Sequence, residues 1–276
     1  MVADSEKKVK PHYTRSSFSG ALVNIGIKRR DIVFTHSNIG FFGVPKGGNS
    51  ILNVFKTIFN SFFDVIGSEG TLVAPTFTYS FPNGKVFDPD NTPSDCGIFS
   101  EMLRKYPEAC RSKDPCVSVA AVGGRAEEMT QNVPENAYGP GSFFDRFFRA
   151  NGVVCNMNFD AASTLVHYVE RALEVPYRYD KTFTGIMREN GVDREKKSTI
   201  FVNYLAKGNK VKFEPFDRLA REKGLYKTCA VGRGFVGAIK ARDTFDLIQK
   251  TLPERPWFLA ETKTLGIEPD LNNEAE

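Results

Sequence analysis

The stretch DIVFTHSNIGFFGVPKGGNSILNVFKTIFNSFFDVIGSEGTLVAPTFT, residues 31–78, decides the fold class. Its first six residues, DIVFTH (31–36), are an apolar run closing on polar side chains, which predicts a strand. Over 50–66 polar residues stand at 50, 53, 57, 60 and 64 with mostly apolar ones between them, and that spacing is helical. The turn Gly67-Ser68-Glu69-Gly70 then leads into TLVAPTFT (71–78), a second strand. A strand, a helix and a strand at this spacing form a βα unit of a parallel sheet.

The alternation continues along the chain. Residues 96–106 read as a helix stopped by Pro107, and SVAAV (118–122) as a strand ended by Gly123-Gly124. Residues 142–150 form a short helix with Ser142 as N-cap and Asp145 in the capping-box position, shut off by Asn151-Gly152. A strand over 152–156 and a helix over 161–174, halted before Pro176, follow. The fold class expected is α/β: a three-layer sandwich with a mostly parallel central sheet and helices on both faces. After residue 195 the texture changes: STIFVNYL (198–205), NKVKFEPF (209–216) and KTCAVG (227–232) read as strands of a smaller antiparallel lobe. A helix over 241–250 and a frayed tail over 272–276 complete the chain. One domain is expected, with its main α/β part over 16–195, the β-rich lobe over 196–240 and the terminal helix and tail over 241–276.

Composition narrows the class. The 276 residues are 41% hydrophobic and 25% charged with a formal net charge of +4, a globular balance that excludes disordered and collagenous chains. Five cysteines, an odd number with no C-x-x-C pair, predict a reduced, cytoplasmic protein without structural disulfides. The charged N-terminal residues lack an apolar core, and no run of about 18 apolar residues occurs, so neither a secretion signal nor a membrane span is expected. The basic balance leans toward anionic partners, but Lys and Arg are interspersed with Asp and Glu and form no basic block, so no nucleic acid is expected and a phosphate-bearing small molecule fits as well.

Three strand ends are conspicuously polar: Thr35-His36-Ser37-Asn38, Thr76 to Ser80, and Asn156 to Asp160. In open α/β sheets ligands collect there. Gly40, Gly43, Gly47 and Gly48 lead into the helix beginning near Ser50 and form either a phosphate cradle or a plain turn. Of three histidines, His12 lies in the charged leader and is expected to be solvated, and His36 is either a structural hydrogen-bonder or a ligand contact. His167 has Glu170 three residues on along a predicted helix. A carboxylate so placed can fix the imidazole tautomer and raise its basicity, as a general base needs; the alternative is an incidental surface pair.

Gly232-Arg233-Gly234-Phe235-Val236-Gly237 spells a dinucleotide fingerprint, but only 39 residues follow it, so it is read as a turn. Cys155 reads as core. No G-x-S-x-G, P-loop, H-E-x-x-H or EF-hand spacing is present, which removes the usual support for hydrolase, NTPase and metalloenzyme readings, and no metal is expected.

Nine motifs in order carry a resemblance: D-x-V-x-x-H-S to Gly43, Gly47-Gly48, G-x-E-G-T-L-V-x-P-T-F-T (67–78), F-D-P-x-x-T-P-S (87–94), R-S-x-x-P-x-x-S-x-A-x-x-G (111–123), Y-G-P-G-S (138–142), T-L-V-H-Y-V-E (164–170), V-P-Y-R (175–178) and A-R-D (241–243). Together they resemble the aminoglycoside 3-N-acetyltransferase family over about residues 31–248. The resemblance implies acyl-CoA or acetyl-CoA as co-substrate, an amino sugar as acceptor, and direct transfer in a ternary complex. His167 is implied as the base, Glu170 as its orienting carboxylate, and Ser80 as a residue holding the amine or ordering the site. His36, Ser37, Asn38 and Gly40 are implied to contact the acyl-CoA, with Thr76 and Ser118 lining the same cleft. Backbone N–H groups at the strand-end loops are expected to stabilise the oxyanion.

Phenylalanine is abundant, 24 against one Trp. Phe55, Phe59, Phe62 and Phe63, with Phe143, Phe144, Phe147 and Phe148, recur at helical spacing as core; Phe41, Phe42, Phe77 and Phe81 are expected as aromatic walls of the cleft. One departure stands out: resistance members of the family commonly read R-S-x-H-P-x-H-S, and here Asp114 and Val117 replace both histidines. With the positive net charge, this favours a nucleotide-activated (dTDP-linked) amino deoxysugar of the anthrose-pathway type as acceptor over an aminoglycoside, and a resistance enzyme is the alternative. A non-catalytic CoA- or sugar-nucleotide-binding protein is the reading of another class.

Overall fold

Residues 10–203 and 210–261 are described by the computed structural model of the chain. Helix α1 (Arg15–Asn24) opens it, with the Thr14 hydroxyl accepting from Ser17 N–H and the Ser17 hydroxyl completing the capping box. The central strand β1 (Ile32–Phe34) follows, then α2 (Ile51–Ile66) and β2 (Thr71–Pro75), the βαβ unit expected from residues 31–78. Next come α3 (Ile98–Arg104), β3 (Cys110–Arg111), β4 (Val119–Gly123), α4 (Ala126–Thr130) and α5 (Phe143–Arg149). Strand β5 (Val153–Met157) leads to α6 (Leu165–Ala172), and a long hairpin, β6 (Arg178–Glu189) with β7 (Val192–Asn203), succeeds it. The described chain ends with β8 (Lys210–Val211), α7 (Glu214–Glu222), β9 (Lys227–Val231), β10 (Gly234–Lys240), α8 (Ala241–Thr251) and β11 (Ala260–Glu261).

The main sheet has seven strands in the order β3-β4-β2-β1-β5-β10-β9. Parallel pairing is confined to its centre, where β1 lies between β2 and β5. The four outer pairings are antiparallel, so β4 and β10 alone run against the other strands. Alternation along β1 sorts the two cores: Ile32 and Phe34 face one layer, Val33 the other. Helices α1, α2 and α3 cover the Val33 side, and α4 to α8 the Phe34 side, which completes the three-layer sandwich.

Four expectations are corrected. The smaller antiparallel sheets are β6-β7 and β8-β11, but KTCAVG is not part of them: β9 and β10 extend the main sheet, because β5 offers an unpaired edge that β10 covers from Met157 to Val153. The hairpin that stands apart begins at Arg178, and β7 runs through the boundary expected between residues 195 and 196. NKVKFEPF is a two-residue strand followed by a helix, since Pro215 sits in the first turn of α7, where its missing N–H costs nothing. Only the beginning of Gly232–Gly237 is a turn; from Gly234 onward it is β10. The tail over 272–276 lies outside the described residues.

The capping prediction at Ser142 is met in half. The Ser142 hydroxyl accepts from Asp145 N–H at 3.3 Å, whereas the Asp145 carboxylate accepts from Gly141 N–H at 2.7 Å. Cys155 is fully buried in the sheet.

Candidate active site

Helix α6 and the residue before it place Thr164, His167 and Glu170 three apart, on one face. His167 Nδ1 lies 2.7 Å from Glu170 Oε2. That contact assigns the ring proton to Nδ1 and leaves the Nε2 lone pair available; among the described residues Nε2 has no hydrogen-bond partner. Glu170 is fully buried, while the His167 side chain keeps 21% of its surface exposed, so the pair reaches the surface only through the imidazole. The rings of Tyr138 and Phe213 flank it at 6.0 and 5.9 Å.

A third group joins them. Arg178, the first residue of β6, brings Nε to 2.8 Å from the same Glu170 oxygen as an ion pair, although its N–H is not aligned on it. Its Nη1 donates to Phe201 O at 3.0 Å on β7. Burial is the main force holding the His167 pKa below the ordinary imidazole value; the hydrogen bond to Glu170 opposes it, and the Arg178 charge adds to it.

His36 comes to the same place from the end of β1. Its Nε2 is 3.1 Å from the Thr164 hydroxyl, and its ring stands edge-on to Phe34 at 4.8 Å. Burial pushes its pKa down to about 4, partly opposed by Asn156, so this imidazole is neutral wherever His167 could work. The Asn156 amide is itself fixed, donating to Asp160 O at 2.6 Å and Ala162 O at 2.8 Å.

Around His36 the strand-end loop keeps polar atoms in reserve. His36 Nδ1 and the Ser37 hydroxyl are buried without a protein hydrogen-bond partner, a costly arrangement unless a ligand supplies one. Asn38 and Gly40 are exposed beside them, and Phe41 is 62% exposed.

The loop is braced by the segment misread as a plain turn. Arg233 N–H donates to Phe42 O at 3.1 Å and Phe235 N–H to Asn158 Oδ1 at 2.9 Å, while Asn158 Nδ2 donates to Asn38 O at 2.9 Å. Gly232 has φ +60°, and a Cβ there would overlap the Phe42 carbonyl, so glycine is needed for close approach rather than for pyrophosphate. His12 is half-buried rather than free in solvent: its Nδ1 accepts from Val44 N–H at 2.9 Å.

Other candidates lie elsewhere. Thr76 and Ser118 are fully buried, with hydroxyls 3.0 Å apart. They surround Arg111, whose Nη2 donates to Thr76 O at 2.8 Å and whose Nη1 donates to Pro89 O and Thr92 O at 2.9 and 2.6 Å. They therefore anchor the 89–92 loop and do not line an open cleft. Arg111→Met leaves these carbonyls unpaired and is expected to lower stability by about 2–3 kcal/mol, read by urea unfolding; an unchanged midpoint would reject the anchoring role. Ser80 accepts from the Thr78 hydroxyl at 3.0 Å, and no hydrogen bond joins it to His167 or Glu170. Phe42 and Phe81 are core, because their rings are covered on all sides, and Phe77 is half-buried, leaving Phe41 as the exposed wall among the four.

Asp114, at the departure from the histidine pattern, is turned inward. Its carboxylate accepts from Cys116 N–H, Val117 N–H and the Ser198 hydroxyl at 2.9, 3.0 and 3.2 Å, tying this turn to β7. Sequence reasoning missed the roles of Thr164, Asn156, Asn158 and Arg178. For Thr164 and Arg178 the signal was present, the first at i−3 from His167, the second closing V-P-Y-R.

Comparison with known proteins places the same motifs in one family. The family model described as aminoglycoside 3-N-acetyltransferase matches residues 34–253. Aminoglycoside N(3)-acetyltransferase IX of Micromonospora chalcea is 26% identical over 262 residues, covering 84% of this chain and 88% of that protein. Aminoglycoside N(3)-acetyltransferase VII of Streptomyces paromomycinus is 25% identical, covering 84% of this chain and 89% of its own length. Among solved structures, AAC-IIIb in a binary complex with CoASH superposes with a TM-score of 0.76 at 21% identity, over 88% of this chain and 97% of that one. Aminoglycoside acetyltransferase AAC(3)-Xa gives 0.75 at 22% identity over 87% and 93%.

Proposed function

Because the chain belongs to the aminoglycoside 3-N-acetyltransferase family, we propose that it transfers an acetyl group from acetyl-CoA to an amine of an aminoglycoside, with His167 as general base. The observation that carries this is the His167–Glu170 pair at 2.7 Å, closed on the Glu170 side and open at Nε2. Nε2 takes a proton from the acceptor amine as its nitrogen attacks the thioester carbonyl. Glu170 holds the ring through Nδ1 and balances the imidazolium as it forms. Collapse of the tetrahedral adduct breaks the C–S bond, and CoA leaves as thiolate, to be protonated by the imidazolium or by solvent. In this proposal backbone N–H groups of the strand-end loop receive the oxyanion.

The family and its named relatives support an aminoglycoside over the dTDP-linked sugar expected from net charge. Net charge averages the whole surface and says little about one cleft. The nucleotide-linked amino sugar is kept as the second reading because Asp114 and Val117 depart from the histidine pattern. A thiol-release assay with acetyl-CoA and each acceptor class separates them: transfer to aminoglycosides is expected, and transfer confined to the dTDP-amino sugar would overturn the choice. Release with neither acceptor would favour a binding protein.

The acid limb has a predictable position. A base acts when neutral, and the His167 pKa is below its ordinary value of about 6.5. Turnover at saturating substrates should therefore hold as pH falls through 7 and decline only below about 6.5. A limb centred above 7 would contradict it.

A further inference from the structure

We infer that Arg178 is a positioning residue for the dyad: its guanidinium shares a single Glu170 oxygen with His167 and thereby keeps the imidazole neutral and oriented. This rests on the reading of His167 as the base.

Oε2 of Glu170 faces His167 Nδ1 at 2.7 Å and Arg178 Nε at 2.8 Å, while Oε1 is buried with no hydrogen bond. The Glu170 side chain is 0% exposed and that of Arg178 4%, so the three groups interact with little screening. A buried carboxylate with only an imidazole beside it would draw a proton onto that imidazole and so consume the base. A guanidinium carries its charge at every working pH, and it already balances this carboxylate. Glu170 is then left to orient the ring, and its help to the imidazolium is moderated.

No other neighbour does this work among the described residues. His36 at the end of β1 is neutral, and burial raises the Tyr138 and Tyr177 phenols, so both are uncharged. Beyond Tyr138, burial raises the Asp114 carboxyl, and it pushes the Cys116 thiol up to about 12. On the outer face of α6, Arg171 is paired with Asp180 at 2.8 Å, at the solvent edge. Arg178 alone among these cations contacts Glu170. Its second bond, to Phe201 O on β7, fixes it from the facing strand, so the root of the hairpin sets where the guanidinium lies.

The chain has three histidines, so the imidazole signals of histidine-labelled protein can be resolved by NMR and assigned with His167→Asn. Arg178→Met is expected to raise the His167 titration midpoint by at least about one pH unit, a tenfold change in proton affinity, with Arg178→Lys staying nearer wild type. Turnover of Arg178→Met should fall more at pH 6.5 than at pH 8.5. A merely structural arginine would lower folded protein at both pH values and leave the midpoint alone. Removing one partner of a buried pair strains the fold. Should Arg178→Met not fold, Glu170→Gln is compared with Glu170→Gln/Arg178→Met, where loss of the guanidinium should again raise the midpoint. Equal or lowered midpoints overturn the inference. A raised midpoint whose acid limb in kcat does not follow upholds the hold on the imidazole and refutes His167 as base.

Discussion

His167→Asn is expected to lower kcat by about 10²–10⁴-fold while the protein remains folded and binds acetyl-CoA. Asparagine presents an amide near the place of Nδ1 and can keep a contact with Glu170, so the buried carboxylate is not abandoned. What it lacks is a titrating nitrogen at the open edge. Attack by the amine then has to lose its proton to water, and the part of the barrier removed by a positioned base returns. KM for acetyl-CoA should change little, because the strand-end loop at Ser37–Gly40, on another element, is untouched. Steady-state kinetics decide it: a variant within about fivefold of wild-type kcat would remove His167 from the mechanism.

Phe34→Ala should be the most destabilising single substitution among the core positions discussed, at about 3–5 kcal/mol. Phe34 is fully buried in the central strand and is ringed by Phe143, Phe144 and Phe147, with centroids 5.1, 5.9 and 5.9 Å away, besides His36 at 4.8 Å. The rings that surround it belong to a helix anchored elsewhere and cannot simply collapse into the gap. A loss of this size is a large fraction of the stability of most domains. Thermal unfolding should move down by roughly 10 °C or more, and a shift under about 3 °C would mean the site repacks. Activity of the remaining folded protein should also fall, since His36 loses the ring it leans on.

Much of this was legible from periodicity alone. The βαβ unit over 31–78 could be read because α2 separates its polar and apolar positions cleanly and β1 and β2 are short and apolar. Helix α1 was not legible: its buried residues are Phe18, Ala21 and Leu22, too few among serines and polar residues to make a stripe. Only the end of the hairpin over 198–203 was legible, because the rest of β6 and β7 lacks a clean alternation and charges crowd residues 178–181 and 188–197. The dyad was visible as an i, i+3 pair. The tuning of it was not, because Arg178 and His36 arrive from other elements, and only the fold sets their distances. Thr76 and Ser118 misled for the opposite reason: polar residues at strand ends suggest a cleft, yet here the hydroxyls are consumed by a buried guanidinium.

The order of strands in the main sheet also sets a timetable. Strand β1 is synthesised well before one of its neighbours, β5, at Val153–Met157, and the strand that covers the far edge of β5 comes at Gly234–Lys240. By the time the hairpin has emerged, His167, Glu170 and Arg178 have all been synthesised. The loop that carries Asn38 still waits for Arg233 and Phe235 to tie it down. The loop is thus braced only after the dyad has been synthesised, and until β10 arrives β5 presents a bare apolar edge of the kind that recruits other chains.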